Sequence, residues 1–207
     1  MKGLTVKSLS NTRWESRIKS VQAIRFQIVE VRAGLLELNN ICDDAKSISE
    51  AESLANSIEK FEFLLGMVIW YDILFVINMV SKKLQSKSMC IDSAMKQLEG
   101  VISFFDKYRN DGYAASLTIA KNLALDMNIE PIFTIKRRIF RKRQFNERED
   151  DEVSLSLEES FRIDYFIVVV DMAIASLKCR FEQMKTFENI FGFLFDSKTL
   201  RTLVMMN

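Results

Sequence analysis

The chain has 207 residues, 48% hydrophobic and 28% charged, which is typical of a folded globular domain rather than a disordered one. Its net charge of +1 gives no overall field to attract nucleic acid or an anionic membrane, so any such binding has to be local. Histidine is absent, which excludes catalytic triads and Cys-His nucleophiles and removes the commonest metal ligand. One proline and six glycines are too few for an all-β chain and favour long helices.

The first predicted helix begins at a capping box, with Thr12 as the N-cap and Glu15 three residues later. Apolar residues then recur at steps of three, four or seven, the spacing of an amphipathic helix, at Trp14, Ile18, Val21, Ile28, Val31, Leu35 and Leu38. We predict one helix that closes at residues 39–40, followed by a polar connection.

A second helix is predicted from Ser49, where Glu52 repeats the capping-box spacing, to about Val80. Residues 61–80 are apolar on most sides and are long enough to cross a membrane. Asp72 lies near the middle of this stretch, and a central acid costs about 2.5–3.5 kcal/mol on insertion scales. We therefore predict a helix buried inside a bundle, and no membrane partner.

A third helix is predicted to open near Asp92 and to stop before Pro131, with a break or kink at the Asn-Asp-Gly cluster of residues 110–112. After it, residues 134–152 form a charged internal loop. An acidic block ends this loop, and six basic residues open it: Lys136, Arg137, Arg138, Arg141, Lys142 and Arg143.

The last long helix is predicted to start at Ser156, with Glu159 completing another capping box. A phenylalanine-rich segment, residues 187–195, is predicted to pack back on the bundle as a short helix or loop. We therefore expect a single domain over residues 1–207. Its fold class is all-α, an antiparallel bundle of about four long helices with a short capping segment.

The three cysteines, Cys42, Cys90 and Cys179, are odd in number and far apart in sequence. This pattern favours a reducing compartment and buried, unpaired thiols over disulfides or a zinc site. No glycine-rich phosphate loop is present, so we predict no cofactor and no small-molecule substrate.

Two features remain as candidate nucleic-acid contacts. In "SLSNTRWESR", Arg13 and Trp14 lie in the first helical turn and Arg17 lies one turn later, so the indole can stack on an unpaired base while the arginines hold phosphates. The alternative is that Trp14 is a core residue in phase with Ile18. The basic run of residues 136–143 is either a contact to a nucleic-acid backbone, a nuclear import signal or a solvated loop.

Several segments resemble the hAT superfamily of DNA transposases, most closely the relatives known as zinc finger MYM-type proteins or as repressors of the inhibitor of a protein kinase. They occur in the family's order and cover nearly the whole chain: "SLSNTRWESRIKSVQAI", "KFEFLLGMVIWYDILFVINMVSKKLQSKSM", "KRRIFRKRQFNE", "FRIDYFIVVVDMAIASLKCRFEQM" and "NIFGFLFD".

The resemblance implies that the chain is the helical domain inserted into the ribonuclease-H-like core of such a transposase. The regions with the three D-D-E acids are expected to lie outside it, so no catalytic residue is carried over and no enzymatic activity is predicted. Arg13 and Trp14 match the family's "RW", whose tryptophan is implied to stack on a base flipped out beside a DNA hairpin.

Three hypotheses follow. The first is a non-catalytic, transposase-derived module that binds DNA or assists assembly, in the nucleus by resemblance and otherwise in the cytoplasm. The second is a protein-interaction scaffold that binds a partner or itself through exposed apolar surface. The third is a relic without a selected function.

Overall fold

A computed structural model describes residues 4–6, 14–87, 89–134 and 155–192. These residues form helices and no strand, which confirms the all-α prediction. Six helices of 13 residues or more pack together, and a five-residue helix, α6, joins the last of them through a π-helical turn at Arg162–Ile167. The helices are α1 (Trp14–Phe26), α2 (Ile28–Ile41), α3 (Ala45–Ile58), α4 (Phe61–Leu84), α5 (Ile91–Asp126), α6 (Leu157–Phe161) and α7 (Val168–Phe191).

Two ion pairs show the direction of α1 relative to α4. Arg25, near the end of α1, contacts Asp72 in the middle of α4, with 3.3 Å between Nη1 and Oδ1. Glu15, near the start of α1, contacts Lys82 near the end of α4, with 3.4 Å between Oε1 and Nζ. The two helices are therefore antiparallel, and the start of α1 lies beside the end of α4.

Helix α5 packs between α4 and α7 and is antiparallel to both. On one side, the Tyr108 hydroxyl donates to Asp72 and Lys83 donates to Gln97. On the other side, Arg109 contacts Asp171 of α7, and the ring of Tyr113 packs on Phe166 in the π-helical turn. Because both neighbours oppose α5, α4 and α7 run parallel to each other.

The core is built around α4, whose Leu64, Leu65, Val68 and Ile69 are fully buried. Helix α4 is also long and apolar enough to cross a membrane, and it is the one such helix among the described residues. Just over half of its most apolar window, 56%, is buried inside this protein. The core helix of a soluble protein passes the same test of length and composition, and buried residues of α4 form a large part of this core.

The prediction of one long first helix is wrong, because the chain breaks at Gln27 into α1 and α2. The Gln27 side-chain amide donates to the carbonyls of Leu4 and Ala23 at this break. Packing explains the break: α1 lies on α4, whereas α2 lies on α3, where Arg32 pairs with Glu59. One straight helix cannot follow both surfaces.

The second predicted helix is likewise two helices, and it starts earlier than Ser49. The Asp44 carboxylate accepts from the backbone N–H groups of Lys46 and Ser47, so α3 begins at Ala45 and Ser49 lies within it. A hydrogen bond from the Ser47 hydroxyl, together with these two backbone bonds, lowers the pKa of Asp44. The chain then turns at residues 59–60 before α4. The start at Ser156 is confirmed, since its hydroxyl accepts from the N–H of Glu159.

Helix α5 continues through residues 110–112, so the predicted break there is wrong. Gly112 is buried, and the ring of Tyr108, one turn earlier, lies directly over it. A methyl group at position 112 would lie 2.3 Å from the Tyr108 Cδ2 atom. The glycine therefore leaves room for the ring rather than ending the helix.

Two further expectations are wrong for the described residues. Residues 187–191 continue α7 instead of packing back, and Phe187 and Phe191 are 46% and 40% exposed. All three cysteines are free, but Cys90 and Cys179 are exposed rather than buried. Cys90 immediately precedes α5, where a hydrogen bond with Ser93 lowers the pKa of its thiol. The predicted N-cap Thr12, most of the charged loop and the end of the phenylalanine-rich segment lie outside the described residues, in residues 7–13, 135–154 and 193–207.

We predict that Gly112→Ala destabilises the protein by about 1–2 kcal/mol, because the overpacking cost exceeds the helix-propensity gain of alanine. Gly100→Ala in the same helix is the matched control. Nothing lies within 4 Å of the added methyl group there, so this variant should gain about 0.8–1 kcal/mol. Urea unfolding followed by circular dichroism measures both, and equal shifts of one sign would contradict the packing role of Gly112.

Candidate functional sites

The structure places only part of the predicted nucleic-acid contacts. Helix α1 begins at Trp14, and Arg17 is exposed near its start. The side chain of Trp14, the whole of Arg13 and the basic run of residues 136–143 lie outside the described residues. Ile18, one turn after Trp14, is buried, so both interpretations of Trp14 stay open.

Basic side chains gather where the start of α1 meets the end of α4. Glu15 pairs with Lys19 at 2.7 Å and with Lys82 at 3.4 Å, and the hydrogen bonds and charges of these two lysines lower the pKa of its carboxyl group. Arg17 and Lys83 are exposed nearby in sequence on the same two helix ends. Two lysines thus contact one carboxylate, Lys83 donates to Gln97 of α5, and the two helix ends together carry four cations and one acid among these five residues. We call these five residues the basic corner.

A second polar cluster, which the sequence did not reveal, lies between α1, α4 and α5. Asp72 accepts hydrogen bonds from Arg25 and from the Tyr108 hydroxyl, at 3.3 Å and 3.2 Å. The same hydroxyl lies 2.9 Å from that of Ser116, which is fully buried. The guanidinium of Arg25 also lies 4.2 Å from the ring centre of Tyr71. Every polar group in this Asp72 cluster therefore has a partner.

The Asp72 cluster opens on a cavity of about 560 Å³ between α4 and α5. Its wall is mostly apolar and includes Phe75, Met79 and Phe104. Burial raises the pKa of the Tyr108 hydroxyl, which therefore stays protonated as a donor. The carboxylate of Asp72 contacts Arg25 of α1 and Tyr108 of α5, so the arrangement is suited to holding three helices together.

The pKa values of two acids, Asp72 of α4 and Asp171 of α7, are shifted in opposite directions. Burial raises the pKa of Asp72 above its ordinary value of 3.8, although Arg25 and Tyr108 work against this. Arg109 holds the more exposed Asp171 in two hydrogen bonds, of 2.5 and 3.1 Å, which lower its pKa.

These shifts act on stability in opposite directions. The pKa of Asp72 is higher in the folded chain than in the unfolded chain, so the folded chain holds the proton to a higher pH. As the pH rises from 3.8 to the folded pKa, the contribution of Asp72 to the free energy of unfolding therefore falls. The contribution of Asp171 is present above pH 3.8 and is lost as the pH falls through its lowered, folded pKa.

We predict that a carboxyl-carbon NMR titration of the folded protein gives a midpoint above 3.8 for Asp72 and below 3.8 for Asp171. Each acid is the control for the other, because both titrate in one sample. The assignment of the two signals comes from Asp72→Asn and Asp171→Asn. An Asp72 midpoint at or below that of Asp171 would contradict the described burial of Asp72.

No group of three His, Cys, Asp or Glu side chains placed to hold a metal ion occurs among the described residues. No protein-family model matches the chain, and no solved structure matches it significantly. The likeness to hAT transposases therefore rests on the sequence segments quoted above.

Proposed function

We propose that this chain is the helical insertion domain of a hAT-type, transposase-derived protein, and that it binds DNA in the nucleus without catalysing strand cleavage itself. In this proposal the helices form a bundle of about four long members with a short capping segment. The order of the five resembling segments supports the origin. The all-helical structure of the described residues is compatible with an origin as such an insertion domain.

The observation that carries the DNA-binding proposal is the contact of Glu15 with Lys82. It brings the start of α1, where the family's "RW" lies, beside the basic end of α4. The positive end of the α1 helix dipole favours a phosphate, and Arg17, Lys19, Lys82 and Lys83 carry four positive charges against the single negative charge of Glu15. The basic corner is therefore suited to a DNA backbone next to an unpaired base.

In the proposed mechanism, Trp14 stacks on a base that a tight DNA hairpin has extruded, and base–aromatic stacking contributes about 1–3 kcal/mol. Arg13, Arg17 and the lysines of the basic corner hold the adjacent phosphates. The basic run of residues 136–143 adds further backbone contacts or directs nuclear import.

We predict that fluorescence anisotropy shows tighter binding to a hairpin-ended DNA with an unpaired base than to a plain duplex. Trp14→Ala should remove this preference, a loss of roughly fivefold or more. Indifference of hairpin binding to Trp14→Ala would contradict stacking and favour the core interpretation of Trp14.

The basic corner is tested separately by the salt dependence of binding. Each phosphate contact on duplex DNA contributes about 0.9 to the slope of log affinity against log salt. Replacing Lys82 and Lys83 by glutamine should lower this slope by up to about 2. The matched control replaces Lys107 and Lys121, which are exposed on α5, and should leave the slope unchanged. Equal slopes for the two double variants would contradict the proposal.

A second candidate function, an interaction scaffold, is favoured by exposed apolar surface beside the Asp72 cluster. Phe75, Met79 and Phe104 are each 40–49% exposed around the same cavity. Contiguous apolar surface of this kind is typical of protein interfaces. If the scaffold hypothesis is right, Phe75→Asp should abolish binding of a protein partner or self-association, while hairpin DNA binding is retained.

A further inference from the structure

A groove of about 740 Å³ runs between α4 and α7, across α5, on which both helices pack. Leu98 and Val101 of α5 contribute to its lining, and Arg180 alone is charged among the described residues that line it. Grooves of roughly 300–1,000 Å³ with mostly apolar walls and a few polar groups are typical of small-molecule sites.

One stretch of the groove mixes polar side chains with the apolar Leu84, Leu98 and Met184, and another stretch is apolar. Asp72 of α4 contacts Tyr108 of α5, and Asp171 of α7 contacts the next residue, Arg109. Because α4 and α7 are parallel, residue n of α4 therefore lies roughly level with residue n+100 of α7. Ser81 of α4 is thus level with Arg180 of α7, and Gln183 lies one turn further on. The basic group and its polar neighbours therefore share one level of the groove.

The opposite stretch is apolar. It lies about 15 Å from Arg180, at 1.5 Å per residue along α7, and is lined by Trp70, Ile73, Val169 and Met172. The indole of Trp70 is held in place because its N–H donates to the Tyr165 hydroxyl at 2.9 Å. Met172 is 66% exposed and Trp70 41%, so an apolar ligand would cover surface that now faces water.

The geometry points to a single occupant: a long-chain carboxylate, bound as a monomer. Its carboxylate lies against the Arg180 guanidinium, with Ser81 and Gln183 as further donors. Its alkyl chain lies along the groove toward Trp70 and Met172. Charge complementarity selects the acid because Arg180 is the one charged side chain among the described lining residues, and the distance to Trp70 selects a chain rather than a compact ligand.

The test uses the full chain and a fluorescent probe, dansylamino-undecanoate, displaced by dodecanoate below its micelle concentration. Dodecyltrimethylammonium, with the same chain and the opposite charge, is the ligand control. We expect dodecanoate to displace the probe at least about tenfold more effectively than the cation. Arg180→Gln should weaken dodecanoate roughly five- to tenfold, because it removes a charge-assisted hydrogen bond.

Lys178→Gln is the matched protein control, since Lys178 is exposed on α7 and does not line the groove. It should leave both ligands unchanged, whereas Met172→Asp should weaken dodecanoate. Equal displacement by the two ligands, or equal effects of Arg180→Gln and Lys178→Gln, would overturn the proposal. So would a dimer, seen by light scattering, that Met172→Asp dissociates, because a second copy would then be the occupant.

Discussion

The contact between Asp72 and Arg25 is the interaction on which the arrangement of α1 depends. Asp72 lies in the central helix, α4, and also accepts from Tyr108 of α5, so a single carboxylate joins three helices. Removing one partner of such a pair leaves a half-buried charge without compensation, which is far more costly than the pair is stabilising. The register that it sets also brings the start of α1 to the lysines at the end of α4, where DNA is proposed to bind.

Local signals in the sequence predicted that the chain is helical, but they predicted the start and end of some helices correctly and of others wrongly. Ser156 is the N-cap that its spacing with Glu159 predicted, because that motif is satisfied within one turn. The break at Gln27 could not be predicted in the same way, since the apolar spacing continues across it. There the chain bends because α1 and α2 pack on different helices, and that is a property of the tertiary structure.

The candidate sites also combine features that the local sequence predicted with features that depend on the tertiary structure. The sequence identified Arg17 as a candidate contact, whereas the basic corner also needs Lys82, which is 65 residues away from Arg17 in the chain. Gly112 resembled a helix breaker because composition does not reveal that the Tyr108 ring covers it. The groove beside Arg180 was not predicted either, since it requires α4 and α7 to run in parallel and in step.

The claim that Asp72 holds α1 in place is tested most directly by hydrogen exchange in two matched variants, Asp72→Asn and Asp171→Asn. Loss of the Asp72 pair should raise exchange of the amides of residues 18–26 by roughly tenfold or more, because α1 opens locally from α4. Asp171→Asn removes a pair between α5 and α7 and should leave these amides unchanged. Equal protection of α1 in both variants and in the original chain would contradict the account.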